Sequence, residues 1–92
     1  MKTIYKYVLS LVENPALDMP RGARVLDVQI QNNEICLWAI VESTEKLETR
    51  KFFIAGTGNP VPQGAGDYIG TVQQDRFVWH VFEEREPGPE YW

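Results

Sequence analysis

The sequence contains one cysteine and one histidine, and both shortages limit its chemistry. Cys36 has no second thiol with which to form an intramolecular disulfide, which is typical of small domains made for a reducing cytosol. His80 alone cannot supply a two-histidine metal site, and no third group is evident that would orient it against Cys36 as a nucleophile–base pair. We therefore expect a non-enzymatic protein with no catalytic residues, no metal site and no cofactor.

Basic residues are scarce as well. Nine Lys and Arg stand against thirteen Asp and Glu, a net charge of −4. Nucleic-acid binding depends on cations that neutralise phosphates, and anionic membranes attract basic surfaces, so we expect neither partner. The longest apolar run, 35–41, is far shorter than the roughly 20 residues that span a bilayer. Lys6 interrupts the apolar run near the N-terminus, so a signal peptide is not indicated, and we expect a cytoplasmic protein.

Helical periodicity is missing, whereas strand signals are frequent. Residues 3–9 alternate, with Tyr5, Tyr7 and Leu9 on one face and Ile4, Lys6 and Val8 on the other. Ninety-two residues, 43% of them hydrophobic, suffice for one core. We predict an all-β, mainly antiparallel fold of about six strands built on two hairpins, as a small curled sheet, a barrel-like sheet or a sandwich. One domain should cover 1–84, with a short edge strand near 16–19 and a flexible tail over 85–92.

The first hairpin is the clearest local feature. Strands 24–31 and 34–42 flank Asn32-Asn33, and asparagine tolerates the positive φ of a type I′ turn. This turn predicts the apolar pairs Ile30–Ile35, Val28–Leu37 and Leu26–Ala39, and the mixed pairs Gln29–Cys36, Asp27–Trp38 and Val25–Ile40. Trp38, with Asp27 and Gln29 beside it, is therefore a candidate protein-binding surface. The equal alternative is that strands from the N-terminus or the tail cover this face.

The second predicted hairpin pairs 67–73 with 76–83 around Gln74-Asp75. The predicted pairs are Val72–Phe77, Gly70–Trp79 and Tyr68–Val81, with His80 opposite Ile69. Neither turn residue is glycine, so a loop of three or four residues is the alternative. His80 is interpreted as a half-buried strand histidine in preference to a catalytic one.

A glycine- and proline-rich segment, 56–66, follows a predicted strand at 49–55. It lacks the Gly-Lys-Ser/Thr ending of a phosphate-binding loop, and Pro60 and Pro62 prevent the helix that would hold the phosphate. A connecting loop is the favoured interpretation, although loops of this length are often functional. The candidate ligand site, suited to a nucleotide-like small molecule, comprises Gly56, Thr57, Gly58, Asn59, Trp79 and His80.

Several segments carry a resemblance to a known family. They are Thr3-Ile4-Tyr5-Lys6-Tyr7, Met19-Pro20-Arg21-Gly22-Ala23, Val28-Gln29-Ile30-Gln31, Leu37-Trp38-Ala39, Gly56-Thr57-Gly58, Thr71-Val72-Gln73 and Phe77-Val78-Trp79-His80-Val81-Phe82-Glu83. In this order they resemble a family of small uncharacterised phage and prophage proteins, a domain of unknown function. The resemblance implies a phage accessory protein that works in the bacterial cytoplasm. The family often has glycine where this chain has Asp75, which weakens the predicted turn.

Three functions are consistent with these observations. The first is a non-enzymatic protein that binds a host protein factor through a sheet face or edge, as a homodimer, and inhibits a host or defence process. The second is a small-molecule or nucleotide-binding protein that sequesters its ligand. The third is a minor virion or assembly component.

Overall fold

The computed structural model describes residues 1–85, which form strands and turns without a helix. The strands are β1 (Lys2–Leu9), β2 (Ala16–Pro20), β3 (Arg24–Gln31), β4 (Glu34–Glu42), β5 (Leu47–Gly56), β6 (Ala65–Gln74) and β7 (Phe77–Glu84). They form two antiparallel sheets, ordered β1-β4-β3 and β2-β5-β7-β6. The predicted all-β fold is therefore confirmed, as a sandwich of two open sheets with seven strands. Residues 86–92 of the predicted tail lie outside the described residues.

The core lies between the two sheets and is strictly apolar among the described residues. Alternate residues of β4 point inward from the three-stranded sheet, namely Ile35, Leu37, Ala39 and Val41. The four-stranded sheet contributes Met19, Phe52, Ile54, Val72 and Val81. Full burial of one such large side chain contributes about 1.5–3 kcal/mol, so this layer supplies the main stabilising term.

The first hairpin forms around the predicted turn. Asn32 and Asn33 have φ of 52° and 60°, as a type I′ turn requires. The predicted pairs Ile30–Ile35, Gln29–Cys36, Val28–Leu37 and Asp27–Trp38 are confirmed. A bulge then shifts the register, so the predicted pairs Leu26–Ala39 and Val25–Ile40 are wrong. Val25 lies opposite Ala39 and packs on the core, whereas Leu26 is exposed.

The second hairpin turns one residue later than predicted. Gln74 pairs with Phe77 and the turn is Asp75-Arg76, in which Asp75 has φ of 54°. The actual pairs include Val72–Trp79, Thr71–His80 and Gly70–Val81, so the predicted pairs Val72–Phe77, Gly70–Trp79 and Tyr68–Val81 are wrong, as is His80 opposite Ile69. Aspartate adopts positive φ more readily than glutamine, which explains why Asp75 takes the first turn position.

The two hairpins pack against each other through β3 and β6. A Cβ atom at Gly70 would lie 2.6 Å from Cγ1 of Val28, so this close approach requires glycine. At the hairpin tips, the side-chain amide of Gln74 donates to the Asn33 carbonyl at 2.8 Å. These contacts join the two sheets along one side of the sandwich.

The N-terminal strands occupy the other side. β1 pairs with β4 along its whole length, from Lys2–Glu42 to Leu9–Ile35. The predicted short strand near 16–19 is β2, at the edge of the four-stranded sheet. The segment before β2 runs beside β5, where the Phe52 N–H donates to the Pro15 carbonyl at 2.8 Å. Within residues 1–85 there is no helix that is long and apolar enough to cross a membrane.

Candidate functional site

The side of the three-stranded sheet that faces away from the core is called the outer face. Its residues are Lys2, Ile4, Lys6 and Val8 of β1, Glu34, Cys36, Trp38, Ile40 and Glu42 of β4, and Arg24, Asp27, Gln29 and Gln31 of β3. Trp38 lies on the central strand, between Lys6 on one side and Asp27 on the other. The structure therefore brings together the three residues of the predicted protein-binding surface.

Trp38 is half-buried by neighbours within its own sheet. Beside it, the Asp27 carboxylate accepts a hydrogen bond from the Gln29 side-chain amide at 2.7 Å and another from the Val28 N–H at 2.8 Å. β1 flanks Trp38 but does not cross over it, and no strand within residues 1–85 lies on top of this face. Within that part of the chain, the outer face is open.

Apolar residues lie along β4 on the outer face, and Ile4 and Val8 flank them on β1, one on each side of Lys6. Ile4 is 56% exposed and lies opposite Ile40, and Val8 is 43% exposed and lies opposite Cys36. We call Ile4, Val8, Trp38 and Ile40 the apolar row. Sequence reasoning placed Ile4 and Val8 on one strand face correctly but did not connect them with Trp38, because the pairing of β1 with β4 has no local signal.

Cys36 belongs to the outer face but is only 1% exposed. The Lys6 ammonium group on β1 donates to the side-chain oxygen of Gln31 on β3, so this bond passes diagonally over β4. Cys36 lies on β4, between these two strands. The thiol itself lies 3.9 Å from the Gln31 carbonyl oxygen. Cys36 and His80 lie on different sheets and face away from each other, so the structure does not assemble a Cys/His pair.

A chain of hydrogen-bonded side chains surrounds His80 on the exposed side of the four-stranded sheet. Thr57 Oγ1 lies 2.8 Å from Nε2 of His80, Thr71 Oγ1 lies 3.0 Å from Nδ1, and the Tyr68 hydroxyl lies 2.5 Å from Thr71 Oγ1. Because each ring nitrogen has a hydroxyl partner, the imidazole orientation is fixed. Two predicted ligand residues, Thr57 and His80, are thus in contact. Thr71 and Tyr68 were missed because the predicted register placed Ile69 opposite His80.

Trp79 faces the opposite side of β7 from His80, since neighbouring strand residues point to opposite faces. It lies across from Gly56, where an added Cβ would be 3.3 Å from the Trp79 ring. A cavity of about 440 Å³ opens there, lined by Glu13, Ile54, Ala55, Gly56, Asn59, Pro60, Pro62 and Trp79. An adjoining cavity of about 410 Å³ adds Thr57, Arg76, Phe77 and Val78. We call the two together the loop groove.

The predicted ligand residues therefore divide between two places. Gly56, Asn59 and Trp79 line the loop groove, His80 belongs to the hydrogen-bonded chain, and Thr57 contributes to both. Gly58, with φ of 88°, makes the turn of the loop and does not line either cavity. The irregular segment is also shorter than predicted, because β6 begins at Ala65.

Phe77 was not singled out from the sequence, yet it forms the mouth of the loop groove. Its ring stacks on Trp79 with centroids 5.4 Å apart and planes inclined by 16°, and Phe77 is 52% exposed. The Trp79 indole N–H donates to the side-chain oxygen of Gln74 at 3.0 Å, which fixes the inner ring. Aromatic residues two apart on one strand share a face, a signal that could have revealed this pair.

A third cavity, of about 540 Å³, opens between the starts of β3 and β6. Its floor is an ion pair, in which Arg50 Nε lies 2.6 Å from one Glu83 oxygen and Nη2 lies 2.8 Å from the other. Arg50 also donates to the Ala23 carbonyl, which links β5 to the chain that enters β3. Burial raises the pKa of the nearby Tyr7 hydroxyl, Tyr5 raises it further, and the Arg50 charge opposes both. The pair joins β5 to β7 within the four-stranded sheet, and the bond from Arg50 to Ala23 reaches the other sheet.

The fold and these surfaces define a small β-sandwich with one open sheet face and one aromatic-lined groove. Among residues 1–85, no three His, Cys, Asp or Glu side chains lie close enough together to hold a metal ion. The family described as Domain of unknown function (DUF7352) matches residues 1–91, and the chain belongs to this family. The expected membership in a family of unknown function is thereby confirmed. No curated protein and no solved structure matches the chain.

Proposed function

We propose that the protein is a non-enzymatic binding protein that engages a partner protein through its outer face. The observation that carries the proposal is the apolar row, which runs across a sheet face that no strand within residues 1–85 covers. Exposed apolar patches with polar surroundings mark interaction sites, and tryptophan is favoured at the energetic centre of interfaces. Trp38 occupies such a centre.

The surroundings of Trp38 support binding by a preformed surface. Its strand, β4, is paired on both sides, so the indole projects from a rigid element and little conformational entropy is lost on binding. Polar residues Arg24, Asp27, Gln29 and Gln31 border the apolar row along β3. A partner that fits this surface has an apolar centre and hydrogen-bonding groups at its rim.

The resemblance to small phage proteins extends the proposal to biology. On that reading the protein is a phage accessory factor, its partner is a host protein in the bacterial cytoplasm, and binding inhibits a host or defence process. The resemblance of the ordered sequence segments supports this extension, and membership in a family of unknown function is compatible with it.

Capture from bacterial lysate, followed by binding measurements on the captured partner, tests the proposal. Replacing Trp38 by alanine should weaken binding by about 30-fold or more, because truncation of a central interface residue costs about 2 kcal/mol or more. Phe77→Ala is the matched control, since it removes an exposed aromatic ring from a different surface. Equal affinity of wild type and Trp38→Ala for every captured partner would show that the outer face is not the interface.

The loop groove supports a second candidate function, binding of a nucleotide-like small molecule. The specific observation is the stacked Phe77–Trp79 pair, whose exposed ring lies next to Arg76 in the groove. A nucleobase stacked on an aromatic ring gains about 1–3 kcal/mol, and an arginine can pair with a phosphate.

Thermal unfolding in the presence of mono-, di- and cyclic nucleotides tests this second function. At a ligand concentration of about 100 times Kd, the free energy of unfolding should rise by about 2.7 kcal/mol, which raises Tm by on the order of 10 °C in a domain of this size. Phe77→Ala should abolish the shift and Trp38→Ala should preserve it. A Tm that does not respond to any of these nucleotides rejects the groove as a nucleotide site.

A further inference from the structure

The four sheet edges differ in how they are protected against pairing with another strand. β2 is a short strand that ends at Pro20, β3 has a bulge at Leu26 and packs against β6, and β6 contains two register shifts between Ala65 and Gly70. Short strands, prolines and bulges are the usual protection of an edge. β1 has none of these features, because all eight of its residues pair with β4 without a register shift.

The outer edge of β1 presents backbone groups in a regular order. The Met1 carbonyl accepts a hydrogen bond from the Ser43 N–H at 3.1 Å, so odd-numbered residues of β1 direct their backbone groups toward β4. The even-numbered residues therefore direct their N–H and C=O groups toward the open edge. Within residues 1–85, no strand pairs with that edge.

Lysine is a common guard of edge strands, but Lys6 does not protect this one. Its ammonium group is hydrogen-bonded to Gln31 on the far side of β4, which draws the charge over the sheet and away from the edge. Ile4 and Val8 remain exposed on one side of β1, and Tyr5 is exposed on the other. The edge therefore combines unpaired backbone groups with apolar side chains on both sides.

We propose that β1 pairs with β1 of a second copy of this chain, antiparallel, around a two-fold axis at Tyr5. The two three-stranded sheets then form one continuous sheet of six strands, and the two outer faces become one surface. This inference goes beyond the proposed function and does not depend on it, since it rests on the strand edge and not on Trp38.

The charges along β1 select the register. An axis at Tyr5 places Ile4 opposite Lys6 of the second copy and Lys2 opposite Val8, so every lysine faces an apolar side chain. An axis at Ile4 would place Lys2 opposite Lys6, and an axis at Lys6 would place Lys6 opposite itself. Like charges directly opposite each other are destabilising. Axes at Thr3 or Tyr7 avoid this repulsion but pair a shorter part of the strand.

Disulfide cross-linking tests the register in a Cys36→Ala background, which removes the native thiol. In the proposed dimer Tyr5 faces Tyr5 in a non-hydrogen-bonded pair, with Cα atoms about 4.5 Å apart, which suits a disulfide. Tyr5→Cys should therefore yield a covalent dimer under mild oxidation. Ile4→Cys alone and Lys6→Cys alone should not cross-link, whereas an equimolar mixture of the two should, because these positions face each other only across the axis.

Light scattering on the wild type provides the second measurement, with an expected mass of twice 10.6 kDa. The mixture of Ile4→Cys and Lys6→Cys alters only exposed positions, so it keeps the test valid if Tyr5→Cys fails to fold. A mass of 10.6 kDa at every concentration would overturn the proposal. The proposal would also be overturned if the wild type is a dimer but neither Tyr5→Cys nor the mixture of Ile4→Cys and Lys6→Cys forms a disulfide. This outcome is independent of the lysate capture.

Discussion

Gly70 sets the distance between the two hairpins at the scale of a single residue. Gly70→Ala should lower the free energy of unfolding by about 1–3 kcal/mol, because the new methyl group meets the stiff, buried side chain of Val28. Thermal or urea unfolding measures this loss. The expected fall in Tm is about 4–8 °C for each kcal/mol in a domain of this size.

Two further variants separate a steric clash from a general intolerance of alanine. Gly64→Ala is the control, since its Cβ would lie 3.4 Å from the nearest atom of Phe53, an ordinary contact. Combining Gly70→Ala with Val28→Ala should cost less than the two single losses added together, because one variant removes the atom that the other displaces. Strict additivity would contradict the proposed clash.

Individual residues of the candidate sites were predictable where one strand or one turn determines their position. Trp38, Asp27 and Gln29 were placed together because a local turn fixes their register. Trp79 was grouped with His80 incorrectly, although neighbours on one strand must face opposite sides. The two-residue spacing of Phe77 and Trp79 predicts a shared face, but nothing in the sequence alone indicates that the other sheet leaves this end of the inner face uncovered.

The turn of the second hairpin carries a backbone cost at the scale of the element. Asp75 adopts φ of 54°, a conformation that glycine accepts without steric penalty and other residues accept at a cost. Asp75→Gly should therefore raise the free energy of unfolding by about 0.5–1 kcal/mol. Asp75→Asn should change it less, and Asp75→Val should lower it, since branched side chains tolerate positive φ poorly. Thermal unfolding of the three variants gives the order, and a Tm highest for Asp75→Val would refute this explanation.

The two hairpins show how far element boundaries follow from sequence. Asn32 and Asn33 favour only one turn position, and the first hairpin formed there. Neither Gln74 nor Asp75 is a glycine that would mark the second turn, so the predicted turn position was one residue too early. The bulge at Leu26 was equally hidden, because Val25 and Leu26 are both apolar and either could have filled the inward position.

At the scale of the whole molecule, the Arg50–Glu83 pair joins β5 to β7 and holds the guanidinium that also donates to the Ala23 carbonyl, at the entry to β3 of the other sheet. Glu83→Ala should lower the free energy of unfolding by about 2 kcal/mol, since hydrogen bonds to charged groups contribute about 1.5–3 kcal/mol. The side chains are 17% and 24% exposed, which keeps the loss below the 3–5 kcal/mol typical of a fully buried pair. Urea unfolding at neutral pH provides the measurement.

Glu84→Ala is the matched control for the removal of one negative charge. Glu84 is the next residue of β7 and points away from the core, so its loss should change the free energy of unfolding by less than about 0.5 kcal/mol. Similar losses for Glu83→Ala and Glu84→Ala would mean that net charge, and not the ion pair with Arg50, determines the effect.

The division of the strands between two sheets was beyond prediction. Alternation in residues 3–9 identified a strand, yet its partner β4 lies beyond β2 and β3 in the sequence, and no turn specifies that pairing. The apolar row therefore emerged only with the structure, since Ile4 and Ile40 become neighbours through this distant contact. All-β class and both hairpins followed from local patterns, whereas the surfaces followed from how those parts assemble.

The distant pairing of β1 also sets an order of events during synthesis. β1 is synthesised before β4, and at roughly 5–20 residues per second the delay is on the order of seconds. β3 and β4 can close their hairpin in microseconds once both are made. The nascent N-terminal strand is therefore without its native neighbour throughout that interval. During that interval the unpaired edges and apolar side chains of β1 are exposed, which is where a nascent β protein is prone to aggregate.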